Sequence, residues 1–375
     1  MELVSQQANE EAEKPLMVAD VPKSDDGAVP HPYDYAELPL PLHKKALLVV
    51  TAPLLLVLAM VRIALLAVLC LLLVVVCLFF GRCRFIIQPV VSALGRLFLL
   101  AFGVWPGMLR LNKPAKPEPA PVLVLAPHCG ALEGFVMMYD GMPRAIAMET
   151  YAKLPVVSSI FRASGGLAVP VPASNDEARK AKQQQHQRKH DAKVAPAELS
   201  EAPTATAAPP EEASRAQGPK PSTLAVRKAI AAHKQAFNPA VAANAVPLCI
   251  LPEGTTHSGR TLVKFFSGAF EGGGPVQPVL LSYPYTHFHA AFFGAGMGEH
   301  VLRLLLNPWQ QVEVTYLSVY HPSAEEQVDP DLYAENVRLA MCAAAGVPPS
   351  AYGAKALRKE YAARARGAAA GADKA

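Results

Sequence analysis

Residues 122–140 read VLVLAPHCGALEGFVMMYD. Val122–Ala126 is a short, unbroken apolar run, the pattern of a strand buried on both faces. Pro127 and Gly130 interrupt it, and a helical pattern then runs through Tyr139. A strand, a tight turn with a polar side chain and then a helix presents a reactive group at the strand's carboxyl end. Downstream, Ser222–Phe237 has helical periodicity, Val246–Leu251, Pro275–Tyr283 and Gln311–Val319 read as strands, and Asp329–Ala345 reads as a helix. This alternation predicts an α/β fold, a twisted sheet flanked by helices. Between Ala173 and Pro221 the composition shifts to Gln, Lys, Ala, Pro and Glu, as in AKQQQHQRKH, which marks a low-complexity surface insertion.

Upstream the character is different. Residues 1 to about 40 are polar and rich in Glu, Lys, Asp and Pro, the composition of a disordered leader. The leader also places the apolar run too far from Met1 for a cleavable signal peptide. From Ala46 to Phe80 the single charge is Arg62. One helix of that length would measure about 52 Å against a hydrocarbon core of about 30 Å. Two arrangements follow. Either Ile63–Phe80 crosses the bilayer while Ala46–Val61 lies shallow, or the halves form a hairpin turning near Arg62. An arginine at mid-bilayer is costly, and basic residues flank both ends (His43, Lys44 and Lys45; Arg82 and Arg84), which favours the hairpin with both ends cytosolic. Val90–Val104 reads as a second, membrane-surface helix.

The predicted organisation is a leader (1–42), a membrane anchor (43–112), a catalytic domain (113–355) carrying the insertion (173–221), and an Ala/Arg/Lys-rich tail (356–375). Across 375 residues the hydrophobic share is 51 % and the mean hydropathy +0.20, an excess concentrated in that anchor. The formal net charge of +4 argues against nucleic acid as a partner and at most suits an anionic lipid surface. Cys70, Cys77, Cys83, Cys129, Cys249 and Cys342 form no CxxC pair, the pattern of reduced thiols in a reducing compartment.

Two segments carry chemistry. In PHCGALEG, His128 and Glu133 could form a general base: the imidazole takes a hydroxyl proton while the carboxylate fixes its tautomer. Positions i and i+5 diverge on an ideal helix, so the pair meets only if His128 sits in the non-helical entry turn. In LPEGTTHSG, Gly254, Thr255 and Thr256 offer backbone N–H groups and hydroxyls to a phosphate or oxyanion, with Arg260 and Lys264 as nearby cations. Glu253 cannot bind phosphate through its own side chain, so its place is to hold the loop or a basic partner. His257, His287 and His289 read as packing or surface residues and lack the spacing of a zinc site.

His-x4-acid after a strand, ILPEGTTHSGRTLVKFFSGAF and PVQPVLLSYP occur in one order behind an apolar anchor. Together they resemble the glycerophospholipid acyltransferase family, most of all its lysophosphatidylcholine acyltransferase branch. The resemblance covers roughly 45–170 and 222–352. It implies a glycerol-phosphate acyltransferase-like sandwich behind N-terminal membrane helices, and acyl transfer from acyl-CoA, as co-substrate, to the free hydroxyl of a lysophospholipid. Lysophosphatidic acid or glycerol 3-phosphate is the alternative acceptor, and an impaired, lipid-binding member is the other alternative. His128 would be the base and Glu133 its support, with Glu253, Gly254, Thr255 and Thr256 holding the acceptor's phosphate. No metal or further cofactor is implied. The partners would be membrane lipids and the two substrates, the oligomeric state stays open, and the location would be the endoplasmic reticulum with the domain on the cytosolic face. Three departures stand out. Glu133 replaces the family's Asp, no arginine appears in Gly165–Pro172 (Arg179-Lys180 follows), and Phe265-Phe266 replaces a Phe-Lys pair, leaving Lys264 on the same strand face as a substitute.

Overall fold

The computed structural model describes residues 29–33, 42–80, 84–148, 158, 161, 164–169, 221–241, 245–284, 289–292, 297–361 and 363. The insertion, most of the leader and the end of the tail lie outside these residues, as do Cys83, His287 and Arg179-Lys180.

Among the described residues the sheet has seven strands: β1 (Leu109–Asn112), β2 (Val122–Ala126), β3 (Arg144–Met148), β4 (Leu167–Val169), β5 (Leu248–Ile250), β7 (Gln277–Ser282) and β8 (Val312–Tyr316), in the spatial order β1-β8-β7-β2-β5-β3-β4. The central strand β2 runs parallel to both neighbours, β5 and β7; β8 is antiparallel to β7. Alternation along β2 divides the core. Val122, Val124 and Ala126 join one cluster with Phe270, Tyr333 and Met341, while Leu123 and Leu125 join the other with Leu99, Val136 and Met137. Helices α4 (Pro221–Ala236) and α7 (Pro330–Ala345) cover the first face; α2 (Arg84–Ala101) and α3 (Leu132–Tyr139) cover the second. A separate ribbon pairs β6 (Leu262–Lys264) with β9 (Pro349–Gly353). The helix α5 (Met297–Leu306) precedes β8, and the short α6 (Ala324–Val328) precedes α7.

The α/β expectation and the strands at 122–126, 248–250, 277–282 and 312–316 agree with the sequence reading. Strands β1, β3, β4 and β9 and helices α5 and α6 are not legible in the sequence, and the strand expected through Phe266 is corrected, because β6 ends at Lys264. The expected boundary at 113 is corrected, because β1 pairs along β8 and belongs to the sheet.

The hairpin expected near Arg62 is also corrected. Leu42–Phe80 is one continuous helix, α1, of 39 residues, and its Val50–Phe80 stretch is long and apolar enough to cross a membrane. Arg62 does not turn the chain; its side chain is buried against protein. It is 3 % exposed and donates hydrogen bonds to the carbonyls of Leu305 (2.7 Å), Asn307 (2.6 Å) and Pro308 (3.0 Å). Those oxygens lie at the carboxyl end of α5, where unpaired carbonyls and the helix dipole both favour a cation. Leu69, Leu73 and Cys77 of α1 pack against α2, while Leu54, Val57, Val61, Val68, Leu71 and Leu78 remain exposed, an apolar face suited to lipid.

Helix α2 departs from a free surface helix in the same way. Ile87, Val91, Leu94, Phe98 and Leu99 are buried. A Cβ at Gly95 would stand 2.6 Å from the Tyr139 backbone nitrogen, so only glycine there lets α2 close onto α3.

Candidate active site

The carboxyl ends of β2, β5 and β7 lie side by side, because the three strands are parallel neighbours. The chain leaves β2 through Pro127 and His128, β5 through the loop from Leu251, and β7 through Tyr283. Each strand thus delivers one wall of the same place.

Helix α3 begins only at Leu132, and its cap residue Ala131 supplies no side-chain hydrogen bond. Glu133 does that work by folding back over the turn. One carboxylate oxygen accepts from the backbone N–H of Cys129 (2.5 Å) and Gly130 (2.7 Å). The other lies 2.6 Å from His128 Nδ1. His128 therefore sits in the non-helical entry turn, as the i,i+5 spacing required. The longer side chain of Glu133 spans both tasks, so the substitution for Asp leaves the pair formed.

Glu133 is buried, whereas the His128 side chain is 24 % exposed, which leaves the imidazole open to a reactant. With Nδ1 facing the carboxylate, Nε2 is the nitrogen free to take a proton. Burial works to lower the His128 pKa, but the Glu133 charge and hydrogen bond, with the Glu253 charge behind them, hold it above the usual imidazole value. The neighbouring Cys129 thiol is pushed far up by burial and by the same two carboxylates, so it stays protonated.

Glu253 holds the loop, as its chemistry suggested, and it does so from within. It is fully buried. Its oxygens accept from the backbone N–H of His128 (2.6 Å) and Val263 (3.0 Å) and face His257 Nε2 at 2.8 Å. One buried carboxylate thus ties the catalytic turn to the loop and to β6. His257 is a packing residue, as expected, and its backbone N–H donates to the His128 carbonyl at 3.0 Å.

The rest of the loop is more open. Gly254 has φ +62°, and a Cβ there would meet the Phe266 ring at 2.4 Å. Thr255 and Thr256 are half-buried beside it, Arg260 is exposed, and Lys264 is exposed at the end of β6. Residues from both ends of the chain meet this loop. The Pro32 carbonyl accepts from Ser258 N–H at 2.8 Å, the Tyr33 hydroxyl hydrogen-bonds Thr255, and Arg358 donates to the Gly254 carbonyl at 2.5 Å. None of these contacts had a signal in the sequence.

The missing arginine is not supplied by β3. Arg144 is near Gly165, but it starts β3, which runs parallel to β5, so it stands at the sheet end opposite His128. Behind the catalytic turn lies a cleft of about 310 Å³ walled by Cys129, Ser258, Arg260, Tyr283, His289 and Glu313 among others. His128 is not among its walls. Burial raises the Tyr283 hydroxyl, with the Glu133 charge adding to it, and lowers the His289 imidazole to about 4.

No family model matches the chain. A lysophospholipid acyltransferase of Arabidopsis thaliana is 46 % identical over 98 residues, 26 % of this chain and 25 % of that protein. The lysophosphatidylcholine acyltransferase of Drosophila melanogaster is 26 % identical over 265 residues, 70 % of this chain and 40 % of that protein. A lysophospholipid acyltransferase of Homo sapiens is 28 % identical over 265 residues, again 40 % of its length. The chain therefore spans a quarter to two-fifths of these relatives. Among solved structures, a 1-acyl-sn-glycerophosphate acyltransferase from Thermotoga maritima superposes with a TM-score of 0.44 at 14 % identity, over 76 % of this chain and 94 % of that one. The chain is similar over most of its length to proteins named lysophospholipid and lysophosphatidylcholine acyltransferases.

Proposed function

We propose that this chain transfers a fatty acyl group from acyl-CoA to the free hydroxyl of a lysophospholipid at a membrane surface. The observation that carries the reading is the His128–Glu133 pair, 2.6 Å apart at the carboxyl end of the central strand, with Nε2 reachable. The acceptor hydroxyl gives its proton to His128 Nε2 as its oxygen attacks the thioester carbonyl. The imidazolium that forms is stabilised by Glu133 and returns the proton as CoA leaves. The pair so acts as base and then acid, the arrangement of a catalytic dyad without a covalent intermediate.

Gly254, Thr255 and Thr256 would receive the acceptor's phosphate, with Arg358, which donates to the Gly254 carbonyl, and Arg260 as the neighbouring cations. Glu253 acts as a positioning residue for the loop. The exposed face of α1 keeps the domain at the lipid surface, in keeping with an endoplasmic reticulum enzyme whose domain faces the cytosol. Lysophosphatidic acid and glycerol 3-phosphate are the other acceptors this chemistry would serve.

Membranes containing the chain, given labelled acyl-CoA and a panel of lysolipids, test the reading. Transfer to a lysophospholipid should fall about 10²- to 10⁴-fold in His128→Ala. Transfer that survives His128→Ala would remove the proposed mechanism, and none with any acceptor would remove the function.

A further inference from the structure

Helix α5 touches the catalytic turn at one end and the anchor helix at the other. In its first turn His300 is 1 % exposed. The imidazole occupies the space left by Gly130, where a Cβ would lie 2.9 Å from His300 Cε1 and 3.0 Å from Nε2. The Ala131 backbone N–H points to Nε2 at 3.4 Å, and Nδ1 is buried without a hydrogen-bond partner among the described residues. An N–H donor facing Nε2 makes that nitrogen the lone-pair end of the neutral ring, which leaves the ring proton on Nδ1. The ring also packs on Phe292 at 5.0 Å, whose backbone N–H donates to the Cys129 carbonyl at 2.6 Å. The charged groups facing His300 are Glu133 on α3 and Arg303 on its own helix.

At the other end of α5, Arg62 binds the three carbonyls of Leu305, Asn307 and Pro308. From residue 300 to residue 305 the helical rise is only about 7.5 Å. A rod that short, held by a buried arginine at one end and fitted to a glycine gap at the other, has little freedom to tilt.

We infer that His300 is a positioning residue that holds the His128–Glu133 turn, and that Arg62 sets its place by fixing α5 to the anchor helix. The inference rests on the catalytic reading of His128 for its kinetic consequences but not for its geometry. His300 accepts from the residue that opens α3, so it fixes where α3 starts and hence where Glu133 points. A shift of about 1 Å in a catalytic group can lower rate about 100-fold.

The experiment uses the full chain, with two readouts. Hydrogen exchange at the imidazole C2 position, resolved for the His128 peptide by mass spectrometry, gives the His128 titration midpoint without any substrate. Steady-state acyl transfer separates kcat from KM. His300→Leu should move the His128 midpoint downward, because Glu133 is no longer held on Nδ1. It should lower kcat about 10- to 100-fold with both KM values within about twofold. His300→Asn, whose amide oxygen can accept from Ala131, should recover part of both effects. Arg62→Ala should shift the midpoint the same way, and the double variant should fall short of the two single effects combined. Gly130→Ala presses the same contact from the other side and gives a second reading should His300→Leu not fold.

A folded His300→Leu protein with an unmoved His128 midpoint would overturn the inference, as would strict additivity with Arg62→Ala. Midpoint shifts in a protein that acylates no lysolipid would uphold the positioning role while removing the proposed function.

Discussion

Replacing Glu133 by Gln tests the centre of the site with the smallest change in shape. The carboxylate serves three N–H groups: His128 Nδ1, Cys129 N and Gly130 N, at 2.6, 2.5 and 2.7 Å. A glutamine has one oxygen. The two backbone donors cannot reorient, so that oxygen stays with them, and the amide NH₂ then faces Nδ1. The imidazole must answer with the opposite tautomer, which puts its proton on Nε2 and removes the base. By analogy with the triad case in which an Asp-to-Asn change imposes the wrong tautomer, the loss is about 10³- to 10⁴-fold in kcat, or ~4–5.5 kcal/mol of barrier. The pH profile gives an independent sign. His128 titrates above the ordinary value because Glu133, with Glu253, outweighs the lowering effect of burial. With Glu133 neutralised, burial gains weight and the midpoint falls, so the acid limb of kcat/KM moves to lower pH while the plateau collapses. The assay is acyl transfer from labelled acyl-CoA between pH 5 and 9, beside the wild type. A variant that keeps more than about a tenth of the rate, with an unmoved acid limb, would refute the reasoning.

Three further outcomes follow from the loop. Glu253→Gln puts an amide NH₂ where one of the carboxylate oxygens accepts from backbone N–H or faces His257; thermal unfolding should show a loss of about 1–3 kcal/mol, the cost of an unsatisfied buried donor. Gly254→Ala places a Cβ against the Phe266 ring at a backbone conformation with φ +62°; it should destabilise by about 1–3 kcal/mol in chemical unfolding and raise the lysolipid KM. Arg358→Ala removes the donor to the Gly254 carbonyl; the lysolipid KM should rise about three- to tenfold, a loss on the scale of one ordinary, solvent-exposed hydrogen bond, with the acyl-CoA KM unchanged.

Much of the fold follows from local pattern. Val122–Ala126 is apolar on both faces because it is the central strand, covered on both sides, and such a run needs no knowledge of the rest of the chain to be recognised. The helix after it, the strands at 248–250, 277–282 and 312–316, and α7 are legible for the same reason. So is the His128–Glu133 pair, because five residues across a Pro–Gly turn settle it locally. The edge strands carry no such pattern: β1, Leu109–Asn112, alternates half-buried and exposed residues over four positions, too short a stretch for periodicity to register.

Local pattern settles the length of apolar chain, the strand–turn–helix unit, and the residues able to take a proton or hold an anion. Which distant groups complete them is settled by long-range packing. Arg62 read as a charge to be kept out of lipid; folding gives it three carbonyls more than 240 positions along the chain. Glu253 read as a loop residue; folding makes it the buried acceptor joining the loop to the catalytic turn. His300 reaches Gly130 across 170 residues because an absent side chain leaves room for a ring, and Tyr33 and Arg358 meet at the same loop from opposite ends. A charge or a glycine in a sequence states a need for a partner or a space. Which residue meets it depends on how the sheet's neighbours are ordered, and that order is set by packing the whole chain.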